Sequence, residues 1–311
     1  MEVVPGIEAW VRPERPTVVT IGMFDGVHRG HRRIIEIAHR KARDSGMRCV
    51  VFTFDHHPLE VLKPGKHPPY LSSSAQKLRL LEELDVDIVL MARFDEAFAA
   101  LRAGEFFHGI LVERLNASSV VVGENFRFGR GGEGDVGLMR EMGEGKGIEI
   151  VAVPLLRQGR DVISSTSIRR LLEKGKVEEA NQRLGRRYTL EGFVVHGDRR
   201  GKELGFPTAN LEVHDNRCIP ANGVYAGETL LENRSWPSGI YVGSVPTFRG
   251  HHRRRVEVHL LDYEGDLYER YLGVEFSMRI RAEMSFPNAS ELQRQIAIDL
   301  ARVREYHKGK R

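Results

Sequence analysis

Two histidines, His28 and His31, lie within a run where Gly22, Gly26 and Gly30 recur at every fourth position. Three residues apart on a helix, the imidazoles share a face, so both can reach one polyphosphate. A strand that passes through a glycine-rich turn into a helix leaves several backbone N–H groups pointing outward. With the helix dipole behind them, those groups make an anion site suited to phosphate. The stretch is neither a Walker loop nor a GxGxxG fingerprint. Two plainer readings stay open for the pair. It could bind a metal, although HExxH is absent and no third ligand stands nearby, or it could simply cap a helix.

Other residues of chemical promise lie further along. In Leu204–Asn210, Pro207 holds the backbone extended, so Thr208 and Asn210, two apart, point the same way. A hydroxyl and an amide oxygen side by side form a hard-oxygen site able to hold Mg2+ with substrate phosphates; solvated polar residues on an edge strand are the alternative. Just upstream, Gly197-Asp198-Arg199-Arg200-Gly201 is a glycine-flanked basic turn that could wrap phosphate. In Val256–Leu261, alternation sets Glu257 and His259 opposite Val256, Val258 and Leu260, and a solvated strand glutamate is the ordinary explanation. Ser165, Thr166 and Arg169 open a helix, with Ser165 or Thr166 as its N-cap. Hydroxyls and arginines there suit a triphosphate, or simply a capped surface helix.

The elements that must position these residues follow two patterns. Up to about Gln182, strands alternate with helices. Strands are predicted at Thr17–Ile21, Cys49–Phe54, Val86–Met91, Ser119–Val122 and Ile148–Val153. Between them come a helix with an apolar stripe of Ile34, Ile37, Ala38 and Ala42, another over Ser74–Leu84, and two short helices within Phe94–Leu115. Asp55–Pro58 reads as a turn at the carboxyl end of a strand, and the loop from Gly123 to Asp135 is too polar and glycine-rich for core. Helices at Ile163–Arg170 and Val177–Leu184 close this half. The pattern implies a Rossmann-like, doubly wound parallel sheet.

From Tyr188 the segments are short and alternating: Thr189–Val195, Gly223–Leu230, Gly239–Val242, Val256–Leu261 and Leu267–Phe276. Asn222-Gly223, Trp236-Pro237 and Glu264-Gly265-Asp266 read as turn signals between them. This implies a small antiparallel barrel, closed by an amphipathic helix from Ser290 to about Tyr306 with Leu292, Ile296, Leu300 and Val303 on one face. The predicted domains are therefore residues 1–182 and 183–311.

A chain of 311 residues is long enough for two such cores. Its net charge of +4 and pI near 9.1 suit anionic small molecules and do not call for nucleic acid. The run His251–Arg255 reads as a solvated loop between strands, with no aromatic stacking series beside it. Cys49 and Cys218 stand far apart, so no disulfide framework is implied. The N-terminus lacks a signal-peptide layout, and no apolar run approaches the roughly 18 residues a membrane span needs. A cytoplasmic protein is expected, acting as a monomer or weak homo-oligomer without membrane or nucleic-acid partners.

Gly22–His31, GMFDGVHRGH, resembles the HxGH entry of the nucleotidylyltransferase superfamily. Its FDGVHxGH form is similar to bacterial FAD synthetase, the family that joins a riboflavin kinase to an FMN adenylyltransferase. Further matches follow in the family's order. Ile163–Arg169 matches ISSTxIR, and Gly201–Asn210 matches GxxLGFPTAN. Val256–Tyr268 resembles the kinase segment that carries the catalytic glutamate, and Ile280–Phe286 matches LRxExxF. The alternative of another nucleotidylyltransferase with an unrelated β domain does not account for the Gly201–Asn210 and Val256–Tyr268 segments. Departures are Met23 where asparagine is common, His56 for the first proline of a Pro-His-Pro turn, a loose Tyr241–Thr247, and Ser285 where lysine is usual.

The resemblance implies a transferase using ATP and Mg2+ to convert riboflavin to FMN and then FMN to FAD. It assigns Glu257 as the kinase base and Thr208 and Asn210 as metal ligands, with Gly201 and Gly205 near phosphate. For adenylyl transfer it assigns His28, His31 and Arg169 to catalysis, Arg169 on the β- and γ-phosphates. Gly22, Phe24, Asp25, Gly30, Ser165 and Thr166 then line the ATP site. Asn125 would help hold FMN, and Arg281 is a flavin or phosphate contact.

Overall fold

The computed structural model describes residues 1–197, 201, 204–214, 216–232, 234–246 and 252–309, of which 245, 246, 252 and 253 are described as backbone only. The chain divides into two compact units. The first comprises Met1–Pro68 with Ser72–Ser165, the second Pro69–Leu71 with Thr166–Arg311. A boundary near Gln182 therefore falls within the second unit, and within a helix.

The first unit is a six-stranded parallel sheet in the order β1-β4-β3-β2-β5-β6. Its strands are β1 (Glu2–Pro5), β2 (Thr17–Ile21), β3 (Arg48–Phe54), β4 (Ile88–Ala92), β5 (Ala117–Gly123) and β6 (Glu149–Val153). β1, absent from the predicted set, pairs with β4 from Glu2 opposite Ile88 to Pro5 opposite Met91. Every residue of β2 is buried, as a β-branched run between two neighbours should be. One face packs on α1 (Arg29–Asp44) and α3 (Ser74–Glu82), through Ile35, Ala38, Ala42, Leu80 and Leu81. The α1 stripe thus centres on Ile35, with Ile34 and Ile37 at its margins.

The other face carries Phe106, Phe107, Leu111, Val136 and Met139. These come from a helical stretch richer than the predicted pair: α4 (Glu96–Ala100), α5 (Ala103–Glu105), a π-helical segment Phe106–Arg114, and α6 (Val136–Glu144). Smaller elements are α2 (Pro58–Leu62) and the hairpin of β7 (Arg157–Gln158) and β8 (Asp161–Val162). The Gly123–Asp135 loop does reach the core. Phe128 is buried there because its N–H and carbonyl both pair with Gly134, at 3.1 and 2.9 Å, which removes the expected backbone penalty.

The second unit is a closed antiparallel barrel, β10-β13-β12-β11-β14-β9. Its strands are β9 (Tyr188–Val195), β10 (Ala209–Glu212), β11 (Gly223–Leu231), β12 (Arg234–Pro246), β13 (His252–Leu260) and β14 (Tyr271–Ala282). Trp236-Pro237 is not a turn. Both residues lie in β12, and the proline is tolerated because the ladder to β13 is ending there, with Ser238 opposite Leu260. The run from His252 to Arg255 is strand rather than loop, pairing with Gly243–Pro246. The last strand runs to Ala282, which brings Arg281 into the sheet.

The barrel interior is packed with Tyr188, Leu190, Tyr225, Ile240, Val242, Val256, Val258, Val274 and Phe276. The same core includes Ile168 and Leu172 of α7 (Ser165–Glu173) and Val177, Ala180 and Leu184 of α8 (Val177–Leu184). Each fully buried aliphatic side chain contributes roughly 1.5–3 kcal/mol of hydrophobic free energy. The last helix, α9 (Ala289–Lys308), lays Leu300, Val303 and Tyr306 on Ala226, Leu261 and Ile280.

Candidate active sites

In the first unit, β2 pairs with β3 on one side and β5 on the other, so the chain order reverses beside it. Doubly wound sheets bind ligands in the crevice that opens at the carboxyl ends of such strands. The residues following β2 here are the Gly22–His31 turn. Phe24 (φ 48°), Gly26 (φ 76°) and Val27 (φ 34°) all have left-handed backbone, which two non-glycine residues adopt only under constraint.

The constraint is visible in the hydrogen bonds. Asp25, buried, accepts from the Ser72 N–H at 3.2 Å and the Ser72 hydroxyl at 3.4 Å. Gly26 N–H donates to Ser72 Oγ at 3.0 Å, and Ser165 Oγ donates to the Asp25 carbonyl at 2.9 Å. Thr53 Oγ1 donates to the Met23 carbonyl at 3.2 Å. The Asp25 carboxylate thus braces the turn.

His28 is the N-cap of α1, its Nδ1 accepting from the His31 N–H at 3.3 Å. The capping role and a ligand role are compatible. An accepting Nδ1 puts the proton of the neutral ring on Nε2, which becomes a donor. The His28 and His31 rings stack at 3.5 Å between centroids, and buried Phe24 meets His31 edge-on at 5.3 Å. A side chain at Gly22 would come within 3.0 Å of the Phe24 ring, and one at Gly30 within 3.2 Å of the His28 ring. The structure therefore brings Gly22, Phe24, Asp25, His28, Gly30, His31 and Ser165 together.

Ser165 and Thr166 are the first residues of α7, so neither is its N-cap, and the Ser165 hydroxyl is used on the Asp25 carbonyl instead. Arg169, buried in the second unit, donates from Nε to the Pro69 carbonyl at 2.7 Å. Asn125 is exposed in the turn after β5, beside the stacked rings of Phe126 and Phe128.

Lys77 went unremarked in the sequence. It occupies α3 on the buried face with Leu80 and Leu81, only 4% exposed, and its ammonium donates to the Phe54 carbonyl at 2.7 Å and Thr53 Oγ1 at 3.3 Å. Burial pushes its pKa down to about 8, against the opposing pull of the Asp25 and Asp55 carboxylates. A lysine in an apolar stripe was the signal that could have found it.

In the barrel, Thr208 Oγ1 donates to Glu257 Oε2 at 3.1 Å, and β10–β13 pairing sets Asn210 opposite Glu257. Arg255 Nη1 lies 3.5 Å from Glu257 Oε1. Asn210 Oδ1 is buried and has no hydrogen-bond partner among the described residues. An unsatisfied buried amide oxygen next to a hydroxyl fits a hard cation such as Mg2+. Close packing shapes this corner. A Cβ at Gly197 would fall 2.1 Å from Asn210 Nδ2, and one at Gly201 2.9 Å from Thr208 Oγ1. Gly205 turns the chain with φ 85°. The basic turn residues Asp198, Arg199 and Arg200, like His251 and Thr247, lie outside the described residues.

The Tyr241–Glu283 bond and the Asp299 partner of Arg281 were not foreseen. Cross-strand from Glu257, Tyr241 donates to Glu283 at 2.7 Å; burial, that bond and the neighbouring carboxylates raise its pKa well above the usual tyrosine value. Arg281 points its guanidinium at Asp299 of α9, with Nε to both carboxylate oxygens at 3.1 and 2.9 Å, and Gln295 Nε2 adds a bond to Asp299 at 2.9 Å. Nothing local in α9 marks an aspartate as buried.

Comparison with known proteins gives the following. Residues 11–167 match the family model for FAD synthetase, and residues 184–307 match that for riboflavin kinase. The chain is 40% identical over 295 residues to a bifunctional riboflavin kinase/FMN adenylyltransferase of Escherichia coli (strain K12), covering 94% of each chain. It is 35% identical over 305 residues to the protein so named in Pseudomonas fluorescens, covering 98% of this chain and 97% of that one. Among solved structures, one described as a macrolide-efflux protein from Streptococcus pneumoniae is 30% identical, with a TM-score of 0.89, covering 98% of this chain and 99% of that one. No helix among the described residues is long and apolar enough to cross a membrane.

Proposed function

The chain belongs to the family of bifunctional riboflavin kinase/FMN adenylyltransferases, and from that membership we propose how its own residues divide the two reactions. It phosphorylates riboflavin with ATP to give FMN, then adenylylates FMN with a second ATP to give FAD and pyrophosphate. We assign adenylyl transfer to residues 1–182 and the kinase to residues 183–311.

In the kinase reaction an alcohol attacks phosphorus, so a base assists. Glu257 takes the proton from the riboflavin 5′-hydroxyl as that oxygen attacks the γ-phosphorus. Its carboxylate is oriented by the Thr208 hydrogen bond, the single observation that carries this reading. Thr208 and Asn210 would hold Mg2+, which when bound supplies charge neutralisation of the triphosphate. Gly201 and Gly205 let the backbone approach the phosphates, and Arg281 contacts flavin or phosphate from its Asp299-held position.

In adenylyl transfer the FMN phosphate is already anionic and needs no base. Catalysis is positioning and charge neutralisation. His28, His31 and the N-terminus of α1 face the ATP phosphates, on the turn formed by Gly22, Phe24, Asp25 and Gly30. By their match to the ISSTxIR pattern we assign Ser165, Thr166 and Arg169 to the triphosphate, and Asn125 helps hold FMN. An enzyme living on ATP, riboflavin and FMN belongs in the cytoplasm, and we assign it no membrane or nucleic-acid partner and the state of a monomer or weak homo-oligomer.

Chromatography of the products from riboflavin, ATP and Mg2+ tests the assignment: FMN should rise first and FAD follow. Accumulation of neither would end it.

A further inference from the structure

Lys77 is a costly residue to bury. A methionine or leucine at the same place on α3 would pack with Leu80 and Leu81 without the desolvation of an ammonium. What the ammonium does instead is specific. It donates to the Phe54 carbonyl, which ends β3, and to Thr53 Oγ1, which passes a hydrogen bond on to the Met23 carbonyl at 3.2 Å. A trans peptide is planar, so fixing the Met23 carbonyl also fixes the Phe24 N–H, aimed the opposite way. Phe24 is the first of the left-handed residues of the turn, a conformation that must be held from outside. The relay Lys77–Thr53–Met23 is one of those holds, acting from the sheet side while Ser72 acts through Asp25 and Gly26.

We propose that Lys77 is a positioning residue for adenylyl transfer, clamping the Met23 carbonyl through Thr53 so that the Gly22–His28 turn keeps the shape its phosphate ligand needs. This rests on the reading of that turn as the ATP-phosphate site. Lys77 touches no substrate; its action is on the backbone that does.

The test compares the full-length parent with Lys77→Met, Thr53→Val and the double variant. It measures kcat and KM for ATP with supplied FMN, and riboflavin phosphorylation on the same samples. Lys77→Met should lower kcat/KM for adenylylation about 10–100-fold, in the range that small misplacements of a site cost. The kinase reaction should stay at the parent level. Because both variants cut one relay, the double variant should be no worse than the more damaged single variant. Adenylylation by Lys77→Met within twofold of the parent overturns the proposal, as does a double variant whose loss is the product of the two single losses. If Lys77→Met also loses the kinase, Thr53→Val decides, since it removes one hydroxyl at constant shape, and parent-like adenylylation by it would equally overturn the clamp. His31→Ala run in parallel separates the two readings. Parent-like FAD formation there undoes the phosphate-turn assignment itself, whereas a dead His31→Ala beside an intact Lys77→Met undoes only the clamp.

Discussion

Thr208 Oγ1 donates to Glu257 Oε2 at 3.1 Å, and the strand register places Asn210 directly across from the same glutamate. A hydroxyl that orients a carboxylate, beside an amide oxygen left unsatisfied, fits the proposed metal-assisted phosphoryl transfer with Glu257 as its base.

Glu257→Gln tests the base. The amide keeps the shape of the position and can still accept from Thr208, but it cannot take a proton from the flavin alcohol. FMN formation should fall about 10²–10⁴-fold, with KM values changed much less. Adenylylation of supplied FMN should be untouched. A kinase rate within a few-fold of the parent removes Glu257 from the mechanism.

His31→Ala should abolish FAD formation and leave riboflavin phosphorylation intact, because its ring belongs to the first unit. FMN and FAD resolved in one time course give both rates. Equal loss of both, in a protein whose thermal melt is unchanged, would contradict two separate sites.

Asp299→Ala removes the partner of a guanidinium in the second unit. The two side chains are 3% and 14% exposed, and breaking a pair this buried leaves a charge uncompensated. The expected loss of stability is about 3–5 kcal/mol, read from the denaturant midpoint of the barrel. An unchanged midpoint would show that water replaces the carboxylate.

Lys77 predicts a pH dependence with a definite sign. Its ordinary pKa of 10.5 is lowered to about 8 in the fold, so between those values the unfolded chain holds a proton the folded protein lacks. Stability contributed by this group therefore rises with pH across that window, by up to about 1.4 kcal/mol per pH unit. Buried Cys49, raised from 9.0 to about 12, pulls the other way above pH 9. The difference between parent and Lys77→Met cancels Cys49, which both retain. A flat difference between pH 8 and 10 would show that Lys77 stays protonated.

Two fragments probe where the kinase can be cut. Residues 166–311 retain α8 and all of α7 but its first residue, and Ile168, Leu172, Val177, Ala180 and Leu184 of these helices belong to the barrel core. Residues 183–311 start inside α8 and lose nearly all of that cover. The longer fragment should have the higher melting temperature and should phosphorylate riboflavin. Equal melting of the two would show that α7 and α8 add nothing to the barrel.

Local chemistry was what the sequence alone determined. The β-branched run before Gly22, the alternation around Glu257 and the rigid Pro207 each depend on neighbours a few residues away, and the observed strands and turns follow them. The two-part architecture follows as well, since the switch from alternating strands and helices to short strands is itself a local pattern. Tertiary structure decided what has no local cause. Pro237 fits within a strand where the ladder to β13 ends beside it, and Phe128 can be buried because Gly134 satisfies its backbone. Arg281 meets Asp299 across 18 positions, and Lys77 reaches Thr53 across 24. Those partners lie on separate elements, and the charge attraction and hydrogen bonds that join them must offset the cost of desolvating both groups, a balance that no spacing within one segment encodes.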